Sequence, residues 1–155
     1  PLAAHLFIFY FGMMSMVTPP VALAAYAAAA IAKADVMKAA FSAFRFALVG
    51  FALPFAFVLK PELLMLTINN EAAPPSMVVM MVGITLVGIL GLAASIAGYA
   101  FKTLSFPVRS VLLGLSLLIF FTRWQDWQIA VQLVSVGAIV VLMAINYSLA
   151  RSERM

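Results

Sequence analysis

Two hydroxyls, Ser15 and Thr18, and the proline pair Pro19-Pro20 stand where side-chain oxygen is otherwise scarce, inside the apolar run from Leu2 to Ala32. Apart from His5, that run contains no acidic or basic side chain. As one helix rising ~1.5 Å per residue it would extend ~45 Å, against ~30 Å of bilayer hydrocarbon. Pro19 and Pro20 have no N–H for the carbonyls of Ser15 and Met16, and each disfavours helical geometry in the residue before it. The spacing therefore predicts a broken helix. Carbonyls left open at membrane depth persist only where protein or a polar cavity supplies a partner, so the break reads as a binding site.

The two sides of such a break carry opposite partial charge. The first half-helix ends in the carbonyls of about Gly12 to Met16, joined by Ser15 Oγ, and suits a small cation. Met14, Ser15, Met16 and Thr18 are the expected ion ligands. The second half starts positive, with Thr18 as N-cap, Pro19 and Pro20 at the first two helical positions, and the Thr18 hydroxyl reaching the N–H of Val21. That end suits an anion, with Thr18 and Val21 as expected substrate contacts. Secondary transporters hold coupling ions and carboxylate substrates on discontinuous helices of this type. The competing reading is a structural kink repaired by neighbouring helices, in a membrane scaffold that transports nothing.

Enzymatic chemistry finds little foothold. The 5 carboxylates, Asp35, Glu62, Glu71, Asp126 and Glu153, are scattered over predicted loops and the tail. No acids are paired, His5 is the single histidine, no nucleophile stands beside a base, and no glycine loop suits a phosphate. His5 reads as interfacial or capping. No catalytic residue, no metal beyond the ion site and no cofactor other than a coupling ion is expected. The absence of cysteine excludes disulfides and thiolate metal sites.

The elements that must position the break are membrane helices. With 66% hydrophobic and 9% charged residues, a soluble domain would have almost nothing polar to present to water. The expected fold is all-α and polytopic, with about five membrane segments, the first of them discontinuous. The segment through the break reaches Ala32, and Ala24, Ala28 and Ala32 form a small-residue face for close helix approach. Lys33 to Lys38 makes a polar turn. A second span runs from about Lys38 to Leu59, bent by Pro54 and ended by Lys60-Pro61. Within it Arg45 snorkels toward the Lys38 end or, alternatively, braces a moving domain or meets an acidic group on a helix outside this chain.

Residues 1–65 read as the end of a transporter core, 66–76 as a loop marked by Asn69-Asn70-Glu71 and Pro74-Pro75, and 77–155 as accessory membrane helices. The accessory part holds apolar runs near Met77 to Ala100, Phe106 to Thr122 and Gln128 to Leu149. Gly83, Gly88, Gly91, Ser95 and Gly98 give the first of these a small-residue face. The middle run, beginning beside Arg109, is short enough either to cross or to re-enter. Trp124 and Trp127 before the last run, and Tyr147 near its end, suit headgroup level. With every run crossing, Lys33, Lys38, Lys102, Arg109, Arg151 and Arg154 share one side and Lys60 and Arg123 the other. The first side is then cytoplasmic, with the amino end periplasmic. The net charge of +4 is too dispersed to suggest nucleic acid.

Three stretches together resemble the large permease subunit of tripartite ATP-independent periplasmic (TRAP) transporters: His5-Leu-Phe-Ile-Phe-Tyr-Phe11, the run from Thr18-Pro-Pro to Tyr26, and Phe44-Arg45-Phe46 followed by Pro54 to Val58 and Pro61-Glu-Leu-Leu64. The likeness is to the fused type, in which small and large membrane subunits form one polypeptide. Many family members carry glycine where Ala22 stands. The resemblance implies a carboxy-terminal fragment of a bacterial inner-membrane permease that uses sodium as coupling ion to import an organic anion delivered by a periplasmic binding protein. It also implies an elevator mechanism, in which a substrate-holding domain of two hairpins and two broken helices moves through a fixed scaffold. The remaining helices and both hairpins, together with membrane targeting, are expected upstream of Pro1, and the lipid bilayer is the surrounding partner. The fragment alone is then expected to transport nothing.

Overall fold

Prolines and positive-φ residues punctuate a computed structural model that describes residues 2–67, 69, 71–122 and 126–152, the side chains of 126–128 excepted. The helices are α1 (Leu2–Ser15), α2 (Leu23–Ala32), α3 (Val36–Ala47), α4 (Ala52–Leu59), α5 (Pro75–Ala97), α6 (Phe106–Phe121) and α7 (Asp126–Ser152), with a 3₁₀ turn at Pro61–Leu64. Among the described residues the extended geometry is limited to isolated bridges, Leu66 with Ala72 and Tyr99 with Thr103. Val36–Leu59, Pro75–Ala97 and Ile129–Ser152 are long and apolar enough to cross a membrane, while α1, α2 and α6 are shorter apolar helices. The chain is an all-α, multi-pass membrane protein.

Two compact units divide the chain, residues 1–58 and 59–155. In the first, α2 ends where Lys33 takes φ 52°, and Asp35 starts α3 by accepting the Lys38 N–H at 2.8 Å. The contact face of α2 is Ala25 and Ala29, buried with Ala22 and Ala40, and not the expected Ala24, Ala28 and Ala32, which are exposed. An alanine helix carries several small-residue stripes, and the buried turn at Ala22 selects the one in register with itself. The bend expected at Pro54 falls one turn earlier. Pro54 cannot donate to the Gly50 carbonyl, so residues 48–51 tighten into i→i+3 bonds and Leu53 N–H takes that carbonyl at 3.2 Å. Rings close the unit: Phe7 and Phe11 of α1 meet Phe55 of α4 edge-on at 5.3 and 6.0 Å, and Phe11 meets Phe51 at 5.6 Å.

The second unit is an up-down-up bundle. A Cβ placed on Gly91 would meet Ser116 Oγ, one on Gly88 would lie 3.0 Å from Ile119, and Ser95 Oγ donates to the Arg109 carbonyl at 2.8 Å. These pairs step in opposite directions along α5 and α6, so the helices are antiparallel and in close contact. At one end of α7 Gln132 donates to the Thr122 carbonyl at 3.0 Å, and near its other end Asn146 accepts the N–H groups of Phe101 and Lys102 at 3.0 and 2.9 Å. The two ends of α6 thus lie at opposite ends of the bundle, the arrangement of a crossing helix and not of a re-entrant one. Tyr147 packs edge-on to Phe101 at 5.1 Å, while Trp124 and the Trp127 side chain lie outside the described residues.

Lys60 departs from the reading of it as a loop cation. It is fully buried beside Glu62, which is 1% exposed, and neither Lys60 Nζ nor Glu62 Oε2 has a hydrogen-bond partner among the described residues. Desolvation lowers its pKa to about 8, with the Glu62 charge opposing the shift. The 3₁₀ turn that follows packs on α5, and Leu63 joins the core formed by Met81, Ile84 and Ile119, so this connection belongs with the second unit.

Candidate functional site

The break lies at residues 16–22, between α1 and α2. Here the helix opens, as the proline pair requires, and the Pro19-Pro20 peptide is cis. The details differ from the expected capping arrangement. Thr18 Oγ1 donates backward to the Met14 carbonyl at 2.7 Å and does not reach the Val21 N–H, which donates to the Thr18 carbonyl at 3.1 Å. The second helix begins at Leu23, and its N-cap is Ala22, in left-handed geometry with φ 33° and no side-chain cap. A proline pair removes the first two N–H groups that a threonine cap would need, so the chain turns through four more residues before the helical ladder restarts.

The carbonyls expected to stand open are largely engaged within the chain. Met13 O accepts Met16 N–H at 3.1 Å, Met14 O accepts Val17 N–H at 3.2 Å besides the threonine hydroxyl, Ser15 O accepts Thr18 N–H at 3.2 Å, and Met16 O accepts Ala24 N–H at 3.0 Å. Ser15 Oγ donates to the Gly12 carbonyl at 2.6 Å, and Tyr26 Oη donates to the Pro20 carbonyl at 2.6 Å.

This arrangement has a definite electrostatic sense. Both hydroxyls place their single proton on a carbonyl of α1, which leaves their oxygen lone pairs as acceptors. The carbonyls of Ser15 and Met16, each with one hydrogen bond at the break, retain a second lone pair. Uncharged oxygen of this kind is the chemistry of a hard-cation site. On the other side of the turn the N–H groups of Val21, Ala22 and Ala24 all donate to carbonyls of the same segment. The Val21 N–H expected to meet an anion is engaged by the Thr18 carbonyl, and the half-exposed Val21 side chain is apolar.

Neighbouring residues fix the turn. Ala22 is fully buried with Ala25 and Ala40. A Cβ on Gly50 would collide with Cε of Met14, so the α3–α4 break supplies the space that Met14 occupies. That contact was not legible in the sequence, where Gly50 is an unremarked glycine after Val49. Among the described residues no group of three or more His, Cys, Asp or Glu side chains could hold a metal ion.

A membrane fold whose first helix is interrupted by a proline turn bearing hydroxyl and carbonyl oxygen has the discontinuous-helix form that secondary transporters use. Residues 1–72 match the family model DctM, described as the tripartite ATP-independent periplasmic transporter, DctM component. This part of the chain is similar to the DctM component of TRAP transporters, a family of transporters and not of enzymes. No curated protein and no solved structure matches the chain.

Proposed function

We propose that this chain forms part of a sodium-coupled permease of the bacterial inner membrane that imports an organic anion, a carboxylate, by an elevator motion of the domain containing the break. The observation that carries the reading is the pairing of the two hydroxyl protons: Ser15 and Thr18 donate to Gly12 O and Met14 O, which leaves the lone pairs of both hydroxyl oxygens as acceptors at the break. Sodium is assigned to oxygen atoms of Ser15, Met16 and Thr18, while the expected ligand Met14 O has both lone pairs taken by the Val17 N–H and the Thr18 hydroxyl, and the substrate is assigned to the Thr18–Val21 side of the turn. The missing coordination comes from helices and hairpins of the permease outside this chain. A scaffold reading, in which the break is only a kink, draws support from the internal pairing of the carbonyls of Met13 to Met16.

Thr18→Val separates the two, because it keeps the shape of the side chain and removes its oxygen. In the whole permease, with its binding protein present, the sodium concentration for half-maximal uptake is expected to rise about tenfold, equivalent to one neutral ligand worth ~1.4 kcal/mol, with protein level unchanged. An unaltered sodium titration at normal expression would remove Thr18 from the ion site and leave the scaffold reading in place.

A further inference from the structure

The end of the second unit that carries Lys102 and Arg151 has features that transport does not use. The loop between α5 and α6 is held onto α7 by Asn146, whose Oδ1 accepts both the Phe101 and Lys102 N–H groups, and by the edge-on Phe101–Tyr147 pair. The loop is also tied internally, with Leu104 N–H donating to Gly98 O at 2.9 Å and the Tyr99 hydroxyl to Phe101 O at 3.1 Å. Two grooves are lined by residues of this crossing. One, of ≈180 Å³, is lined by Lys102, Thr103 and Ser105 together with the apolar Leu142, Ile145 and Leu149. The other, of ≈170 Å³, is lined by Phe101, Tyr147 and Arg151.

We propose that this end of the bundle is a binding site for an anionic phospholipid, with the headgroup phosphate between Lys102 and the hydroxyls of Thr103 and Ser105, the acyl chain along Leu142, Ile145 and Leu149, and Arg151 adding a second positive charge. Each groove joins one cation to apolar lining, and cationic pockets between membrane helices attract anionic headgroups. A soluble anion would use the cation and hydroxyls but gain nothing from Leu142, Ile145 and Leu149. An aromatic pair at this level suits the headgroup region, where one edge of a ring is wet and the other apolar. Charge complementarity thus selects an anionic lipid over a zwitterionic one, and the apolar wall selects a lipid over free phosphate. The site depends on the membrane setting and is independent of the sodium and substrate assignments.

The test is native mass spectrometry of the full-length detergent-solubilised protein titrated with phosphatidylglycerol or phosphatidylcholine of identical acyl chains, in the presence and absence of inorganic phosphate. Phosphatidylglycerol is expected to bind at least tenfold more tightly. Lys102→Gln and Arg151→Gln are each expected to weaken it about fivefold, corresponding to the effect of one basic residue near an anionic headgroup. Lys38→Gln, in the other unit, is expected to leave it unchanged, and Leu149→Glu, which puts a negative charge on the apolar wall, to weaken it without touching either cation. Equal binding of the two lipids, or affinity unaffected by Lys102→Gln and Arg151→Gln together, overturns the proposal. Displacement of the lipid by millimolar phosphate would overturn it too, because the site would then recognise the anion alone.

Discussion

Thr18 shows what a single residue reveals before folding and what it does not. That an oxygen stands beside a proline pair inside an apolar run is plain from the sequence, but the direction in which its proton points depends on which backbone acceptor the turn brings within reach. The sequence favoured a forward cap on Val21, and the structure turns the hydroxyl back to Met14 O. Ala22 illustrates the same limit from the other side. Its φ of 33° lies where an L side chain is strained by ~1–2 kcal/mol, which gives a physical reason for the glycine that the family resemblance associates with this position. Its methyl group is fully buried with Ala25 and Ala40, and a buried carbon contributes ~0.8 kcal/mol. These terms nearly cancel. Ala22→Gly is therefore expected to leave the thermal unfolding midpoint of the detergent-solubilised permease within a few degrees of the parent, or to raise it slightly. Ala22→Val, whose branched side chain resists a positive φ and has no room, is expected to lower the midpoint strongly. Equal midpoints for the valine and glycine variants would show that the left-handed turn at this residue is not what sets the entry to α2.

Among the elements, the break in the first segment, the following span and the apolar helices of the second half were all legible, because prolines and apolar run lengths act locally. The packing partners were not. Arg109 reads in sequence as a charge marking the start of a short run, yet it links the last turn of α5 to the first turn of α6. Its Nε donates to Ser95 O at 3.0 Å, its Nη2 lies 3.5 Å from Ile96 O, and Ser95 Oγ returns a bond to Arg109 O. The carbonyls at a helix C-terminus lack intrahelical partners and carry partial negative charge, so a guanidinium there both satisfies and neutralises them. Gly98 completes the arrangement, since a Cβ at its φ of 73° would sit 3.1 Å from Arg109 Cζ. Hydrogen bonds to a charged donor contribute ~1.5–3 kcal/mol. Arg109→Met is therefore expected to lower the unfolding midpoint of the permease by several degrees. Arg109→Lys should recover only part of the loss, because a point charge cannot reproduce a planar fork on two carbonyls. Full recovery by lysine would reduce the role of Arg109 to its charge.

At the scale of the whole molecule, orientation in the membrane rests on which ends carry cations. In the second unit Lys102, Arg109 and Arg151 gather at one end of the bundle, and α6 crosses to the other, where Thr122 meets Gln132. The crossing fixes the parity of the last three helices, which apolar length alone left open because α6 is short for a ~30 Å core. Lys60, counted in the sequence as one of two opposing cations, is buried in the folded chain, yet with a pKa lowered only to about 8 it keeps its charge near neutral pH, so the count of cations stands. Short loops rich in Lys and Arg tend to stay cytoplasmic, and on that rule the orientation we propose has the turn from Lys33 to Lys38 inside and the loop from 66 to 74 outside. Ala34 and Ala72 are exposed positions in those two loops, and the chain has no cysteine of its own to confuse the measurement. In a full-length permease cleared of other cysteines, Ala72→Cys is expected to react with a membrane-impermeant maleimide added to intact cells. Ala34→Cys should react only after the membrane is permeabilised. The reverse pattern would place the cationic loops outside and would invert the direction in which the broken helix presents its oxygen atoms to sodium.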